Sequence, residues 1–160
     1  MDGLEFRGAL ISDAPRIHEL VNGYADRSLM LPRPLMEIYE SIRDFHVCTE
    51  NGRVVACVAI HVSWQGLGEI RSLAVEEGYR RRGVATRLVQ QCHRDAEMIG
   101  LKRVFVLTNT PALFTALGYV PIDKEKLPHK IWADCARCPK FPSHCDEVAL
   151  IMEVALATVE

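Results

Sequence analysis

Three consecutive arginines, Arg80, Arg81 and Arg82, run into Gly83, Val84 and Ala85. They lie between a strand-like run, Glu69 to Val75, and a helix-like run, Val84 to Ile99. The first turn of a helix has N–H groups with no partner inside the helix, and it carries a partial positive charge. Phosphate oxygens bind well there. Gly83 and Ala85 are small enough to let phosphate reach the backbone, and the arginines add charge at the mouth. By residue chemistry this is an anion site. A glycine and arginines taken alone would favour a solvated basic turn. The context favours a site, because the loop leaves a parallel strand where open α/β sheets bind ligands.

A second cluster has metal-like spacing. Cys135-x-x-Cys138 is followed by Cys145, with His129 and His144 close by. Two thiolates with two residues between them can share one tetrahedral zinc, which a third Cys and a His would complete. Only one Cys-x-x-Cys pair is present, however, and His144 and Cys145 are neighbours that point apart in an extended segment. Three free thiols are therefore expected in preference to a structural zinc. Cys57 in an apolar strand-like run and Cys92 on a helix face read as ordinary buried thiols.

The elements that must position the arginine loop follow from periodicity. Leu4 to Leu10 reads as a strand. Ser12 or Asp13 can cap a helix with Pro15 in its first turn, and Ile17, Leu20, Val21 and Tyr24 give it one apolar face. Pro32 and Pro34 interrupt the chain before Leu35, Ile38, Tyr39 and Ile42 restart a helix. Phe45 to Thr49 and Arg53 to Trp64 read as strands joined at Asn51-Gly52, a strong hairpin signal. Gly66-Leu67-Gly68 reads as a turn before the strand Glu69 to Val75. Ala85, Leu88, Val89, Cys92 and Ala96 line one side of the helix that Gly100 ends. A strand from Arg103 to Thr108, a short helix from Pro111 to Leu117 closed by Gly118, and a strand from Val148 to Leu156 complete the chain. The order predicts one α/β domain over residues 1–160 with a mixed central sheet. Strand 69–75, helix 84–99 and strand 103–108 form its parallel crossover.

Composition excludes several classes. With 160 residues, 49% hydrophobic, and a formal charge of −2, the chain suits one self-sufficient core and not a polyanion binder. No nucleic-acid partner is expected. No apolar run approaches the roughly 20 residues of a membrane span, so no membrane partner is expected either. The start Met1-Asp2-Gly3-Leu4-Glu5 lacks the basic and apolar stretches of a secretory signal, so a cytoplasmic location is expected. A reducing cytosol argues against disulfides.

Arg80-x-x-Gly83-x-Ala85 resembles the Arg/Gln-x-x-Gly-x-Gly/Ala signature of the GNAT (Gcn5-related) N-acetyltransferase family. The resemblance implies the GNAT fold, with helices on both faces of the sheet and a V-shaped splay between two parallel strands. It also implies acetyl-CoA as cosubstrate. Arg80, Arg81, Arg82, Gly83, Val84, Ala85 and Thr86 would hold its pyrophosphate, and the backbone of Leu73, Ala74 and Val75 would line its pantetheine arm. Gly68-Glu69-Ile70, Val104 to Thr108 and Gly118-Tyr119 further resemble the acetyltransferase domain of N-acetylglutamate synthases. The tail from Leu127 to Pro142 is similar to that of their stand-alone forms.

This narrower resemblance implies acetyl transfer to the α-amine of L-glutamate, the first step of arginine biosynthesis. Glu69 is the expected base, since the acceptor ammonium must lose a proton before it attacks. Arg33, with Arg71 as a weaker candidate, would grip the acceptor carboxylate, because a guanidinium can make two parallel bonds to it. Many GNAT enzymes place an acidic tyrosine where this chain has Phe114, so Thr108 or water is expected to assist the leaving thiolate. Other acceptors, such as another amino acid, a polyamine or a protein N-terminus, remain open. So do a homodimeric assembly and a non-catalytic acyl-CoA-binding regulator.

Overall fold

The computed structural model describes residues 3–26, 33–127 and 147–154. In chain order the described elements are β1 (Leu4–Gly8), α1 (Ala14–Asp26), α2 (Leu35–Glu40), β2 (Phe45–Glu50), β3 (Arg53–Trp64), β4 (Leu67–Val75), α3 (Val84–Ile99), β5 (Arg103–Thr108), α4 (Pro111–Ala116), β6 (Val120–Pro121) and β7 (Val148–Glu153). The strands form one mixed sheet in the order β1-β2-β3-β4-β5-β7-β6. The expected crossover is present: β4 and β5 are parallel, joined through α3, while β5 pairs antiparallel with β7. The chain divides into two compact units, Met1–Ile60 with Arg71–His93, and His61–Ile70 with Arg94–Glu160.

In the first unit, α1 buries Ile17, Leu20 and Val21, the stripe that helical spacing predicts. They pack with Ile38 of α2, Phe45 and Val47 of β2, Val54, Cys57 and Ala59 of β3, and Ala74 of β4. The β2–β3 turn is the predicted Asn51-Gly52, with φ of 51° and 79°. Two positive φ values in succession match the twist of the strands they join. The start of α1 differs from expectation. Residues Ile11–Asp13 form a 3-10 turn that runs straight into the helix. Asp13 is not a forward cap: its carboxylate reaches back to accept the Leu10 N–H at 2.7 Å. It also takes two bonds from Arg7, at 2.6 and 3.1 Å.

In the second unit, β4 begins at Leu67, two residues earlier than the turn reading of Gly66-Leu67-Gly68 allowed. Only Gly66 turns, with φ 73°. Its carbonyl accepts the N–H groups of Lys102 and Arg103 at 2.8 and 3.0 Å, fixing where β5 starts. Leu67 can then pair with Arg103 and join Phe105, Leu127 and Ala149 in a core. α3 ends as predicted. Gly100 has φ 86°, and the N–H groups of Leu101 and Gly100 return to the carbonyls of Ala96 and Glu97 at 2.9 and 3.3 Å. The short β6 had no legible sequence signal, since it is two residues long and one is proline.

The Asp13 site predicts a pH-dependent stability. Burial alone raises the Asp13 pKa, but the Arg7 hydrogen bonds, the Leu10 N–H and the Arg7 charge outweigh it and hold the carboxyl below its ordinary value. A carboxylate with a depressed folded-state pKa contributes stability above the unfolded pKa and loses it as pH falls through the folded one. Asp13→Asn should therefore cost about 2 kcal/mol in urea denaturation at pH 7, the order for hydrogen bonds to a charged group. The deficit should shrink below about pH 4, where the unfolded carboxyl is protonated. A deficit that ignores pH would remove the ion pair from the account.

Candidate functional site

The expected cofactor loop lies wholly in the first unit. β4 ends at Val75 and α3 begins at Val84, with one 3-10 turn, Glu77–Tyr79, between them. Arg80 is extended, at φ −70° and ψ 155°. Arg81 then turns left-handed at φ 62°, and Gly83 does so again at φ 76°. Left-handed residues interleaved with ordinary ones turn neighbouring N–H groups to one side, which makes an anion-binding concavity. The Gly83 carbonyl accepts the Arg87 N–H at 3.1 Å, so Gly83 caps α3. The N–H groups of Val84, Ala85 and Thr86 thus belong to the turn that has no intrahelical acceptors. Val84 is buried beneath this turn, while Arg81, Arg82 and Gly83 are exposed at its mouth. Ala85, expected on the buried stripe, is only half-buried; Val84 takes that place.

A glycine suits position 83, but an arginine at φ 62° carries a strain of roughly 1–2 kcal/mol. Surrounding contacts must hold such a residue. Arg80, although exposed, is tied to the end of β4: its Nε donates to the Val75 carbonyl at 3.3 Å. Arg82 lies over the Tyr79 ring, 5.2 Å from its centroid, and Tyr79 donates its hydroxyl to Glu50 at 2.7 Å. Arg87, one turn into α3, lies 4.3 Å over the Phe6 ring.

Sequence reasoning passed over the residues that secure the loop's entry. Glu76, the first residue after β4, donates its N–H to the Val55 carbonyl at 2.9 Å. Its carboxylate accepts from Arg16 at 2.8 Å and from both terminal nitrogens of Arg53, one of them at 2.9 Å. The Arg53 hydrogen bond, against an opposing effect of burial, holds the Glu76 pKa below its ordinary value. Ser72 was passed over as well. It is left-handed, at φ 57°, inside β4, and its carbonyl accepts the Cys57 thiol at 3.4 Å. Burial pushes that thiol up to about 12, so Cys57 is a packing residue and not a nucleophile.

Arg33 is also in the first unit. Its side chain is only 14% exposed, so it is not the solvated loop arginine that flanking prolines might suggest. Asn22 of α1 donates to its carbonyl at 3.2 Å, and its guanidinium stands 3.8 Å from the Glu37 carboxylate. Arg71 is half-buried on β4.

Glu69 and Thr108 lie in the second unit. Both are buried, at 9% and 8% exposure. Glu69 pairs with Phe105, which puts its side chain on the face of Leu67 and Phe105. Thr108 is three residues beyond Phe105, so strand alternation sends it to the opposite face. Its hydroxyl oxygen accepts the Thr110 N–H at 2.9 Å and meets the Thr110 hydroxyl at 3.1 Å, which ties it to the turn before α4. The two expected catalytic residues are therefore not brought to one face. Phe114 is a core residue, edge-on to Tyr119 with ring centroids 5.2 Å apart. The pairing of β4 with β5 stops at Ile70 and Val106, although β4 continues to Val75. The Cys135, Cys138 and Cys145 cluster, with His129 and His144, lies outside the described residues. Among the described ones no group of metal-binding side chains occurs, and Cys48, Cys57 and Cys92 are buried thiols outside any disulfide. No described helix is long and apolar enough to cross a membrane.

Comparison with known proteins agrees with this geometry. The profile of the acetyltransferase (GNAT) family matches residues 15–119. An uncharacterized N-acetyltransferase of Chlorobaculum tepidum is 42% identical over 145 residues, 91% of this chain and 93% of the relative. An amino-acid acetyltransferase of Mycobacterium tuberculosis is 34% identical over 134 residues, 82% of this chain and 76% of its own. A crystal structure from the same organism, in complex with CoA, superposes with a TM-score of 0.83 at 28% identity, covering 94% of this chain and 99% of that one. The N-acetylglutamate synthase of Neisseria gonorrhoeae, complexed with coenzyme A and N-acetyl-glutamate, gives a TM-score of 0.84. That likeness is 22% identical and spans 95% of this chain but 35% of the synthase, so it speaks for the fold. The chain belongs to the acetyltransferase (GNAT) family. It is an N-acetyltransferase that uses acetyl-CoA.

The left-handed geometry at position 83 separates binding from folding. Asparagine tolerates positive φ and valine does not. Gly83→Asn should keep the melting temperature within a few degrees, while Gly83→Val should lower it. Both side chains would stand in the phosphate's path, so both should weaken acetyl-CoA in calorimetry, by more than about ten-fold if one charge-assisted contact is lost. Unchanged affinity in Gly83→Asn would refute the cradle.

Proposed function

We propose that this enzyme transfers the acetyl group of acetyl-CoA to the α-amine of an amino acid, and that the acceptor is L-glutamate. Support for an amino-acid acceptor comes from the amino-acid acetyltransferase of Mycobacterium tuberculosis, which matches this chain over most of both lengths. The observation that favours an acceptor carboxylate is Arg33, a guanidinium withdrawn from solvent between α1 and α2. Arg71 on β4 is the second candidate for that role.

In this reading the amides of the Arg81–Thr86 turn hold the pyrophosphate, and the arginines at its mouth neutralise it. The backbone of Leu73–Val75, past the last β4–β5 pair, serves the pantetheine arm. Glu69 takes a proton from the acceptor ammonium, directly or through water. The neutral amine attacks the thioester carbonyl carbon and forms the C–N bond. The tetrahedral oxyanion collapses, the C–S bond breaks, coenzyme A leaves as a thiolate, and the second proton of the attacking nitrogen passes to that thiolate or to water. A thiol with a pKa of about 8.5 is a competent leaving group without a dedicated acid. That removes the need for Thr108, whose hydroxyl is engaged with Thr110.

An acceptor screen following free coenzyme A tests the proposal, and glutamate should give the highest kcat/KM. Arg33→Ala should raise the KM for glutamate by roughly ten- to a hundred-fold, the range for a lost charge-assisted hydrogen bond. The KM for acetyl-CoA should change little. Preference for an acceptor without a carboxylate would overturn the assignment.

Glu69→Gln should leave acetyl-CoA affinity intact and lower kcat by about 10²–10⁴, the usual contribution of a general base. The loss should narrow as pH rises towards and past the pKa of the acceptor amine, because more of the acceptor is then already neutral. A constant ratio across pH would assign Glu69 to structure instead.

A further inference from the structure

We infer that Glu76 is a positioning residue for the phosphate loop, acting through the two arginines that clamp it. The inference rests on the reading of residues 80–86 as the acetyl-CoA cradle. Glu76 occupies the point where the chain leaves β4 and enters the loop. Three residues from two elements converge on it. β3 takes its N–H through the Val55 carbonyl. Arg53, also of β3, meets both of its carboxylate oxygens. Arg16 of α1 bonds the carboxylate at 2.8 Å and, through its Nε, the Val54 carbonyl at 3.0 Å. The strand's last carbonyl, that of Val75, is held in turn by Arg80.

These contacts fix the loop's entry in position and direction five residues before the left-handed Arg81. The cap at Gly83 and the buried Val84 fix its exit. A segment held at both ends can maintain a strained residue that a free loop would relax. The carboxylate touches nothing in the mouth that the described contacts record; it acts by shape. It also neutralises two cations close to an anion site, so its removal would raise the local positive charge. Charge alone predicts that losing Glu76 tightens phosphate binding. Positioning predicts the reverse, and this opposition makes the inference testable.

The test compares acetyl-CoA with S-acetyl-N-acetylcysteamine, a thioester that has no phosphate to place in the loop. In Glu76→Gln the ratio of kcat/KM for acetyl-CoA over that for the small thioester should fall about ten-fold, the loss typical of one charge-assisted contact. Coenzyme A affinity in calorimetry should fall by a similar factor. Arg53→Gln, at a more exposed site, should fold without difficulty and shift both readouts the same way by a smaller factor. An unchanged ratio, or equal losses for both donors, would overturn the inference, because a general structural defect penalises both. A tighter coenzyme A complex would overturn it in favour of simple charge removal. Should the wild-type protein itself bind no coenzyme A, the cradle reading fails first, and the two failures are distinguishable.

Discussion

An extended strand cannot become a helix within a few residues while also turning its peptide N–H groups towards one point, unless some residues take a left-handed backbone. Here those residues are Arg81 and Gly83. Glycine adopts that geometry at no steric cost, but arginine does not. The arginine can stay there only because the segment is anchored on both sides. The anchors come from parts of the chain distant in sequence: Arg16 on α1, Val55 and Arg53 on β3, and the hydrophobic seat of Val84. The loop's shape is therefore a property of the whole first unit. It could not survive as a local motif.

α1 has more than one task in that unit. Its apolar stripe seats it on the core, and the Arg7–Asp13 pair with the Leu10 N–H fixes how the chain enters it. From this fixed helix Arg16 reaches the cofactor loop and Asn22 reaches the Arg33 carbonyl. At 1.5 Å per residue these two contacts are about 9 Å apart along one rigid rod. The segment proposed to bind the acceptor and the segment proposed to bind the cofactor are thus referenced to the same helix. A helix of this kind converts two loops, each individually soft, into parts with a defined relation to one scaffold.

How much of this was legible depended on how local the cause was. α3 and β5 stood in the sequence to the residue, because an amphipathic stripe with a glycine stop and an apolar run with a short connection need no distant partner. Asn51-Gly52 was legible for the same reason. The glycine at 68 misled, because its place within β4 is decided by pairing with β5 and not by its own preference. The left-handed Ser72 had no signal at all. The Glu76 clamp joins residues 60 and 23 positions apart, so nothing in the neighbourhood of Glu76 marks it. The arginine loop was legible as an anion site by residue type. The same reading did not show that Arg80 holds the last carbonyl of β4, or that Glu69 and Thr108 face apart.

The last of these bears on how the reaction can be catalysed. In strands of regular pleat, facing is set by parity, and no side-chain flexibility carries a threonine hydroxyl through the sheet. A mechanism with Glu69 as base therefore has to release the thiolate without Thr108 acting beside it. Phe114 cannot fill the gap, since its ring is packed edge-on against Tyr119 in the core. Thioester chemistry permits this economy. The C–S bond yields a stabilised thiolate, so the difficult demands are a neutral amine and correct approach to the carbonyl. Holding two reactants in attacking geometry can replace much of what an acid would supply. An enzyme built this way should work chiefly by placement: a strained loop held from both ends, a largely shielded arginine for the acceptor, and one carboxylate on the strand between them in sequence.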